Sequence, residues 1–568
     1  MLHALQPSTA TGPIPDLLSA EAEVRVDLAA LRQMLVFAFA AGGSIKAFEE
    51  IIGATRLPAT SWRPGAFARD LFVEDLVVRG FRVRAGGRLH QPSALHLARA
   101  ISSPPRDPEV LAFRRAVLTE IAGSKETRAE IERIYVAIVE LRALFCAGAI
   151  GMGALRRLDI LRLLRALVDT LAGSFAGASS GLSRVRAFGI AARESESYRR
   201  LDALLDHEEH LGTIDLRVRV GADGELRTFQ IVAVKENRDN PFHASPLGRW
   251  IAKIQLFWRG IRMNGVELVE RLFDDVFTGL ETTIALLFQL LGDIEFYLAG
   301  LGFRDLAAEK GLAVCFPDFG EARDGAGGAG GEGGAGEGGG AGMELVGLFN
   351  PLLLGEGRAP VPCDITVAQG GSVVLVTGPN SGGKTRLLQA LALAQMLGEV
   401  GLFAPARSAR MPRVPGLFVS LLDEIRADQP EGQLGMELLR IRRMFEELEP
   451  GSLVMLDELC SGTNPSEGEE IARLVISLLP ELGAQVFVTT HLLQFAARLA
   501  EERSGGRLAF LQVELDARDR PTYGFVPGVA RTSLAHKTAA RLGVTRDELL
   551  ELIEAKRQRG RARSPAKT

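Results

Sequence analysis

The stretch SVVLVTGPNSGGKTRLLQALALAQML, residues 372–397, decides the fold of one half of this chain. Its continuous apolar run, Ser372–Thr377, is typical of a buried strand, and Lys384–Leu397 has the pattern of a helix. Between them, GPNSGGKT at Gly378–Thr385 fits G-x-x-x-x-G-K-[ST] in the strand–loop–helix context that this pattern requires. The sequence therefore predicts a phosphate-binding loop.

Each residue type in the loop has a physical reason to be there. Glycines let backbone N–H groups approach phosphates, and the start of the helix adds positive potential. We expect Lys384 to reach the β- and γ-phosphates and Thr385 to offer its hydroxyl to Mg²⁺. The predicted nucleotide-binding residues are Gly378, Pro379, Asn380, Ser381, Gly382, Gly383, Lys384 and Thr385.

Two further strand ends carry polar residues suited to the same site. The apolar run of LVMLDELCSGT (453–463) ends in Asp457 and Glu458, and Asp457 lies 73 residues after Lys384. We expect Asp457 to hold Mg²⁺ through water and Glu458 to polarise the attacking water. His491 ends VTTH (488–491), the next strand, where its imidazole would reach a γ-phosphate.

The rest of the chain divides into a helical half and an α/β half. Residues 324–342 (DGAGGAGGEGGAGEGGGAG) cannot bury apolar area and predict a flexible linker. After it, apolar strands alternate with helices, which predicts a mostly parallel sheet covered on both faces. Before it, helical stripes of apolar residues predict core helices, and the alternation in 214–220 and 226–234 predicts a β-hairpin.

Composition excludes several classes of protein. Among 568 residues the formal net charge is −4, so DNA contact would need local basic patches. The four cysteines lie far apart with no CxxC, which excludes a disulfide scaffold and a cysteine zinc site. The first 20 residues lack the pattern of a secretory signal, and the uncharged stretches are too short to span a membrane. We expect a cytoplasmic protein with no membrane contact.

TGPNSGGKT, MLDELCSGTNPSEG and VTTH together resemble the ATPase domain of the MutS family, within the ABC-type ATPases. YGFVPGVARTSLAHKTAARLGV (523–544) is similar to the segment that closes this domain and helps two subunits pair, and MELVGLFNPLLL (343–354) resembles its entering strand. No LSGGQ-type signature of ABC transporters precedes the acidic strand. Over residues 104–310 only the order of elements, long helices interrupted by a β insertion, resembles the core, levers and clamp of the MutS family.

The resemblance implies a fold class, a domain plan and a function. The fold is an α/β P-loop (ABC-type) ATPase domain in the C-terminal half, after a mainly α-helical core and lever half with an inserted β-hairpin. The domains are a mostly helical region (1–103), core and lever helices with a clamp-like hairpin near 214–235 (104–323), the linker (324–342), the ATPase domain (343–548) and a helical end with a basic tail (549–568).

The implied function is that of an ATP-hydrolysing homodimer with Mg²⁺, a clamp on structured or branched DNA that reads no base sequence. Lys384, Glu458 and His491 would be catalytic, and Thr385 with Asp457 would form the Mg²⁺ shell. Residues 461–465 would signal across the dimer interface.

The sequence departs from the family pattern at several places. Asn350 replaces the His that is usual before Pro-Leu in the family. Phe72-Val73-Glu74 matches the Phe-x-Glu motif that the family inserts at DNA mismatches, but only in these three letters, so we interpret it as part of an ordinary helix. The leading segment is short for the mismatch and connector domains, and no nuclease-like segment is recognised after the ATPase. The stretch in the place of the trans signature loop, DQPEGQLGMELLRI (428–441), has no hydroxyl residue, which puts the rate of hydrolysis in question.

Three alternatives stay open. The first is a nucleotide-gated scaffold that hydrolyses little ATP, and the second is an ABC-type ATPase acting on a partner other than DNA. The third concerns the basic residues of the last 13 positions (KRQRGRARSPAKT) and of the hairpin, Arg217, Arg219 and Arg227, with Lys235 and Arg238 beyond it. They would touch the phosphate backbone or be simply solvated.

Overall fold

The structure is a computed structural model. It describes residues 12–147, 153–210, 214–220, 226–234, 273–274, 276–320, 342–355, 359–368, 370–421, 433–459, 464–502, 507–531 and 544–562. Several predicted features lie wholly or partly outside these residues. They are the Gly-rich linker, the hairpin turn 221–225, Lys235, Arg238, positions 428–432, positions 461–463, positions 532–543 and the tail beyond Ala562.

The structure describes fifteen α-helices. They are α1 (Leu28–Ala41), α2 (Ile45–Gly53), α3 (Val73–Gly80), α4 (Ala94–Ile101), α5 (Pro108–Gly123), α6 (Lys125–Cys146), α7 (Gly153–Gly173), α8 (Leu182–Glu194), α9 (Glu196–His210), α10 (Glu281–Glu309), α11 (Lys384–Glu399), α12 (Gln433–Glu447), α13 (Pro465–Leu478), α14 (Leu493–Glu501) and α15 (Arg546–Ala562).

The described strands are short. They are β1 (Val83–Ala85), β2 (Arg88–His90), β3 (Ile214–Val220), β4 (Leu226–Val234), β5 (Asp318–Phe319), β6 (Met343–Leu348), β7 (Cys363–Val367), β8 (Val373–Thr377), β9 (Ser408–Met411), β10 (Leu417–Ser420), β11 (Leu453–Leu456), β12 (Gln485–Thr489), β13 (Leu508–Leu515) and β14 (Pro521–Pro527). Strands β3 and β4 pair antiparallel, which confirms the predicted hairpin.

The chain forms two compact units, each assembled from separate segments. The first contains residues 1–57, 84–96 and 116–296, and the second contains residues 58–83, 97–115 and 297–568. This division groups segments that are distant in the sequence, and the domain boundaries predicted above remain predictions.

The first unit contains buried charged side chains in addition to its apolar helices. The Arg25 guanidinium pairs with the carboxylates of Asp16 and Asp293, and all three side chains are almost fully buried. Burial raises the pKa of Asp293 to about 6, although the Arg25 charge opposes this rise. Buried Arg156 on α7 donates to the carbonyl oxygens of Ala38 (2.9 Å) and Phe39 (2.7 Å), near the carboxyl end of α1. Such pairing is required because an unpaired buried charge is costly.

The second unit is built on a six-stranded sheet of order β10-β11-β12-β8-β13-β14. The first five strands are parallel to their neighbours, and β14 is antiparallel to β13. Every residue of β8, β11 and β12 is buried, as expected for parallel strands covered on both faces. The mostly parallel sheet predicted from the sequence is therefore observed. A smaller sheet of order β5-β9-β6-β7 belongs to the same unit.

Residues 58–83, here called the N-terminal strap, pack within this second unit. The Ser61 hydroxyl donates to the carbonyl of Pro415 (2.6 Å), and the Trp62 indole N–H donates to the carbonyl of Val414 (3.1 Å). Further along, the backbone N–H of Leu421 donates to Oδ2 of Asp70 (2.7 Å). The strap therefore contacts both the approach to β10 and the residue that follows it.

The strap also contains the three-letter wedge match. Phe72 precedes α3 in a left-handed backbone conformation (φ 50°), and Val73 begins the helix. The buried face of α3 includes Val73, Leu76 and Val77. This placement agrees with the interpretation as an ordinary packed helix.

Helix α10 has 29 residues. By length and composition it is the one helix in the described part of the chain that passes a test for a membrane span. Its most apolar 18-residue window is entirely buried inside the protein, as in a core helix. The helix also carries the buried carboxylates Asp293 and Glu295.

Candidate nucleotide-binding site

The loop between β8 and α11 wraps tightly because its glycines allow it. Gly378 has φ 140° and Gly383, the N-cap residue of α11, has φ 90°, both in the region that favours glycine. A Cβ atom added at Gly378 would lie 2.6 Å from Cγ2 of Val513 on β13. The loop therefore runs close to the neighbouring strand, and its backbone N–H groups precede the start of a helix.

Lys384, the first residue of α11, is 6% exposed. Its ammonium group donates to the carbonyl oxygens of Gly378 (3.1 Å) and Pro379 (3.3 Å). Burial lowers the pKa of Lys384, an effect that the nearby carboxylates of Glu458 and Asp457 oppose. The side chain is thus folded over the loop, with its charge at the place where phosphates would bind.

The acidic pair follows β11 directly and is tied to the loop helix. The Thr385 hydroxyl, on the first turn of α11, donates to Oδ2 of Asp457 at 2.6 Å. Oδ1 of the same carboxylate accepts from the hydroxyl of Thr489 on β12. The structure therefore brings Thr385 and Asp457 together, as a shared Mg²⁺ shell requires.

A cavity of about 690 Å³ opens over the loop. Its polar wall consists of the loop residues from Asn380 to Thr385, with Glu458 and Asn350. Most of the other lining side chains are apolar or aromatic, including Leu353, Val361 and Phe525, and Arg386 adds a positive charge. A polar end beside an apolar wall is the arrangement that suits a nucleotide, with its phosphates on the loop.

Asn350, a departure from the family pattern, has a defined place in this wall. Its Oδ1 accepts from the backbone N–H of Leu352 (3.0 Å), which caps the short 3₁₀ turn Pro351–Leu353. Its amide donates to the carbonyl of Arg386 and to Oε1 of Gln389, each at 3.1 Å. Asn350 therefore joins the cavity wall to α11, a role that sequence reasoning did not identify.

Not every predicted site residue lies at the cavity. His491 follows β12 and is exposed, and it is not among the described residues that line the cavity. Its proposed contact with a γ-phosphate stays a prediction. Gly378 and Pro379 lie beside the cavity through their carbonyl contacts with Lys384.

Comparisons with known proteins match the part of the chain that contains these residues. Residues 374–545 match the family model described as MutS domain V. The chain is 28% identical over 486 residues to the Endonuclease MutS2 of Thermus thermophilus, covering 84% of this chain and 56% of that protein. It is 33% identical over 208 residues to the Endonuclease MutS2 of Thermomicrobium roseum, covering 36% of this chain and 26% of that protein.

The matched part is thus at most about half the length of these curated relatives. The family match begins on β8 and includes the phosphate loop, the acidic pair and VTTH. Together with the relatives, it supports membership of the MutS family for this chain, a mixed α/β protein that contains a MutS domain V.

Proposed function

We propose that this protein binds and hydrolyses ATP with Mg²⁺, and that it does so as a DNA-binding member of the MutS family. One observation carries the proposal: the hydrogen bond from Thr385 to Asp457 joins the phosphate loop to an acidic pair, and Glu458 of that pair borders the same cavity. The donor set fits the metal, because a hydroxyl and a carboxylate are the hard oxygen ligands that Mg²⁺ prefers.

The chain's own residues would share the work of catalysis. Backbone N–H groups of the loop would bind the phosphates, and Lys384 would neutralise charge between the β- and γ-phosphates. Bound Mg²⁺ supplies further neutralisation of the developing charge. Glu458, which lies on the cavity wall, would accept a proton from the water that attacks the γ-phosphate in line with the leaving oxygen.

DNA binding and dimerisation are proposed from the family. The resemblance implies two subunits that complete each other's ATP sites and hold DNA between helical arms, in a repair or recombination role in the cytoplasm. The net charge of −4 means that DNA contact would rest on local basic residues and weaken with salt. Nothing in the helical half of the sequence suggests direct reading of bases, so we propose binding to DNA structure.

We do not propose nuclease activity for this chain, although the relatives are named endonucleases. The chain matches 56% of the Thermus protein and 26% of the Thermomicrobium protein.

The test is steady-state ATP hydrolysis by the purified protein with no DNA, duplex, branched or single-stranded DNA, at two salt concentrations. We expect the wild type to hydrolyse ATP at a rate that changes when DNA is added. Higher salt should reduce this effect of DNA, and Lys384→Ala should abolish hydrolysis. ATP binding with no DNA effect on any substrate would contradict the DNA-coupled function.

A nucleotide-gated scaffold is the second candidate, because residues 428–441 contain no Ser, Thr or Tyr. A Glu458→Gln variant distinguishes the two. If hydrolysis is the function, this variant binds ATP normally and loses turnover by at least about 100-fold, the order of a general-base contribution. If the protein is a scaffold, wild type and variant share the same negligible turnover.

A further inference from the structure

Thr489 occupies the strand that separates the acidic pair from the phosphate loop. In the sheet order β11-β12-β8, strand β12 lies between the two functional strands. Leu456 on β11 pairs with Val488, and Thr489 pairs with Val376 on β8. The last residue of β12 is therefore beside Asp457 on one side and the end of β8 on the other.

The buried hydroxyl of Thr489 is used twice. It donates to Oδ1 of Asp457, and it accepts from the backbone N–H of Glu458 at 3.0 Å. The side chain is fully buried. One hydroxyl thus contacts both members of the acidic pair.

These two contacts hold groups that would otherwise be free to turn. Both carboxylate oxygens of Asp457 accept a hydrogen bond, one from Thr489 and one from Thr385, which fixes the orientation of the carboxylate plane. Glu458 has φ 51°, a left-handed backbone conformation that non-glycine residues rarely adopt. The hydrogen bond to its N–H supports this conformation, from which the Glu458 side chain reaches the cavity wall.

We propose that Thr489 is a positioning residue for the acidic pair, which orients Asp457 for the metal and Glu458 for water. The inference rests on the proposed ATPase function and deepens it. The proposed role requires a hydroxyl group. Valine has the same shape as threonine but offers neither the hydrogen-bond donor nor the acceptor. Serine offers both.

The test compares Thr489→Val with Thr489→Ser in the full chain. Two quantities are measured: the Mg²⁺ concentration that half-saturates binding of a fluorescent ATP analogue, and kcat and KM for ATP. We expect Thr489→Val to raise the Mg²⁺ half-saturation about 10-fold and to lower kcat about 10- to 100-fold, the usual effect of losing an outer partner of a metal ligand. Affinity for the analogue in EDTA should not change, and Thr489→Ser should remain within about 3-fold of wild type.

Thr377→Val is the matched control. Thr377 is fully buried at the end of β8, and its hydroxyl donates to the carbonyl of Leu511 and accepts from the N–H of Ala530. This variant should lose thermal stability and keep the wild-type Mg²⁺ half-saturation. If Thr377→Val and Thr489→Val shift the Mg²⁺ dependence equally, Thr489 has only a structural role.

The outcomes also separate this inference from the proposed function. If the wild type binds the analogue with Mg²⁺ but does not turn over ATP, hydrolysis is excluded and the Mg²⁺ half-saturation still decides the role of Thr489. An unchanged Mg²⁺ dependence in Thr489→Val, or equal losses in the Val and Ser variants, would overturn the positioning role. Absence of nucleotide binding by the wild type would overturn both.

Discussion

The hydroxyl of Thr385 and the carboxylate of Asp457 are joined by a hydrogen bond of 2.6 Å, although 72 residues separate them in the sequence. The bond links the first turn of the loop helix to the end of the acidic strand. It sets both oxygen donors at one point of the site before any metal is bound. Preorganised ligands of this kind are what a Mg²⁺ site requires, since the ion tolerates little departure from its preferred geometry.

Replacing Thr385 should therefore uncouple the loop from the acidic strand. We expect Thr385→Val to lower ATP turnover about 10- to 100-fold and to raise the Mg²⁺ requirement, because the donor to Asp457 and the proposed ligand are both lost. Thr385→Ser keeps the hydroxyl and should retain most activity. Turnover measured over a range of Mg²⁺ concentrations checks this, and equal rates for Thr385→Val and wild type would contradict it.

Asn350 gives a prediction about the cavity wall. Asn350→Ala removes the cap on Leu352 and two donor contacts to α11, so we expect a loss of about 1–3 kcal/mol in unfolding free energy. Asn350→Asp keeps the capping oxygen but places a carboxylate beside the carbonyl of Arg386 and Oε1 of Gln389. We expect it to be at least as destabilising as alanine, and to weaken ATP binding. Thermal denaturation and ATP titration measure the two effects, and wild-type stability in Asn350→Asp would show that the donor contacts contribute little.

The sequence predicted the elements that local patterns encode. Strands β8, β11 and β12 are apolar runs bounded by polar residues, and the loop glycines and Lys384 follow a fixed spacing, so their positions could be read directly. The contacts of Thr489 and Asn350 could not, because they depend on strand order and on a turn 39 residues from its partner Gln389. His491 was predicted from its place after a strand, which does not determine the direction of an exposed side chain.

The packing of the N-terminal strap also could not be predicted from local sequence patterns. Its residues 58–83 precede the family match by about 300 positions, yet they pack within the unit that contains the ATPase sheet. Nothing in the local pattern of this segment indicates which distant strand it will contact. The hydrogen bonds of Ser61, Trp62 and Asp70 to residues flanking β10 are visible only in the structure.

The strap makes a testable contribution to stability. Trp62 is 4% exposed and packs edge-on against Phe67, with ring centroids 5.6 Å apart. We expect Trp62→Ala to cost about 3–5 kcal/mol, as for other buried aromatic deletions. Trp62→Phe should cost less, about 1–3 kcal/mol, because it keeps an aromatic ring but loses the donor to the carbonyl of Val414 and part of the buried ring volume.

Differential scanning calorimetry of the full chain should show which transition the strap belongs to. The transition of the second unit should move to lower temperature in both Trp62 variants, further for Ala than for Phe, and ATP turnover should be lost at the same temperature. An unshifted transition in Trp62→Ala would mean that the strap packs without stabilising the unit.

Glu399, at the far end of the loop helix, links stability to pH. Burial raises the pKa of Glu399 from its ordinary value of 4.5 to about 7, although the N–H of Val414, Gln395 and Arg413 all favour the charged form. Between pH 4.5 and 7 the native protein therefore binds more protons at this site than the unfolded chain does, so the stability from this group falls as pH rises through the folded pKa. Above that range the buried charge has a constant cost of at most about 3 kcal/mol.

Glu399→Gln removes this charge and keeps an oxygen that can accept from the N–H of Val414. We expect the variant to gain stability relative to wild type as the pH rises from 5 to 8, by up to about 3 kcal/mol. Denaturant unfolding of both proteins at several pH values measures this difference. The other buried carboxylates with a raised pKa, Asp293 and Glu295, are present in both proteins, so their contributions cancel in the comparison. A difference that stays constant with pH would mean that Glu399 is equally charged in the native and unfolded states, and that its contacts with Arg413 and Val414 fully offset its burial.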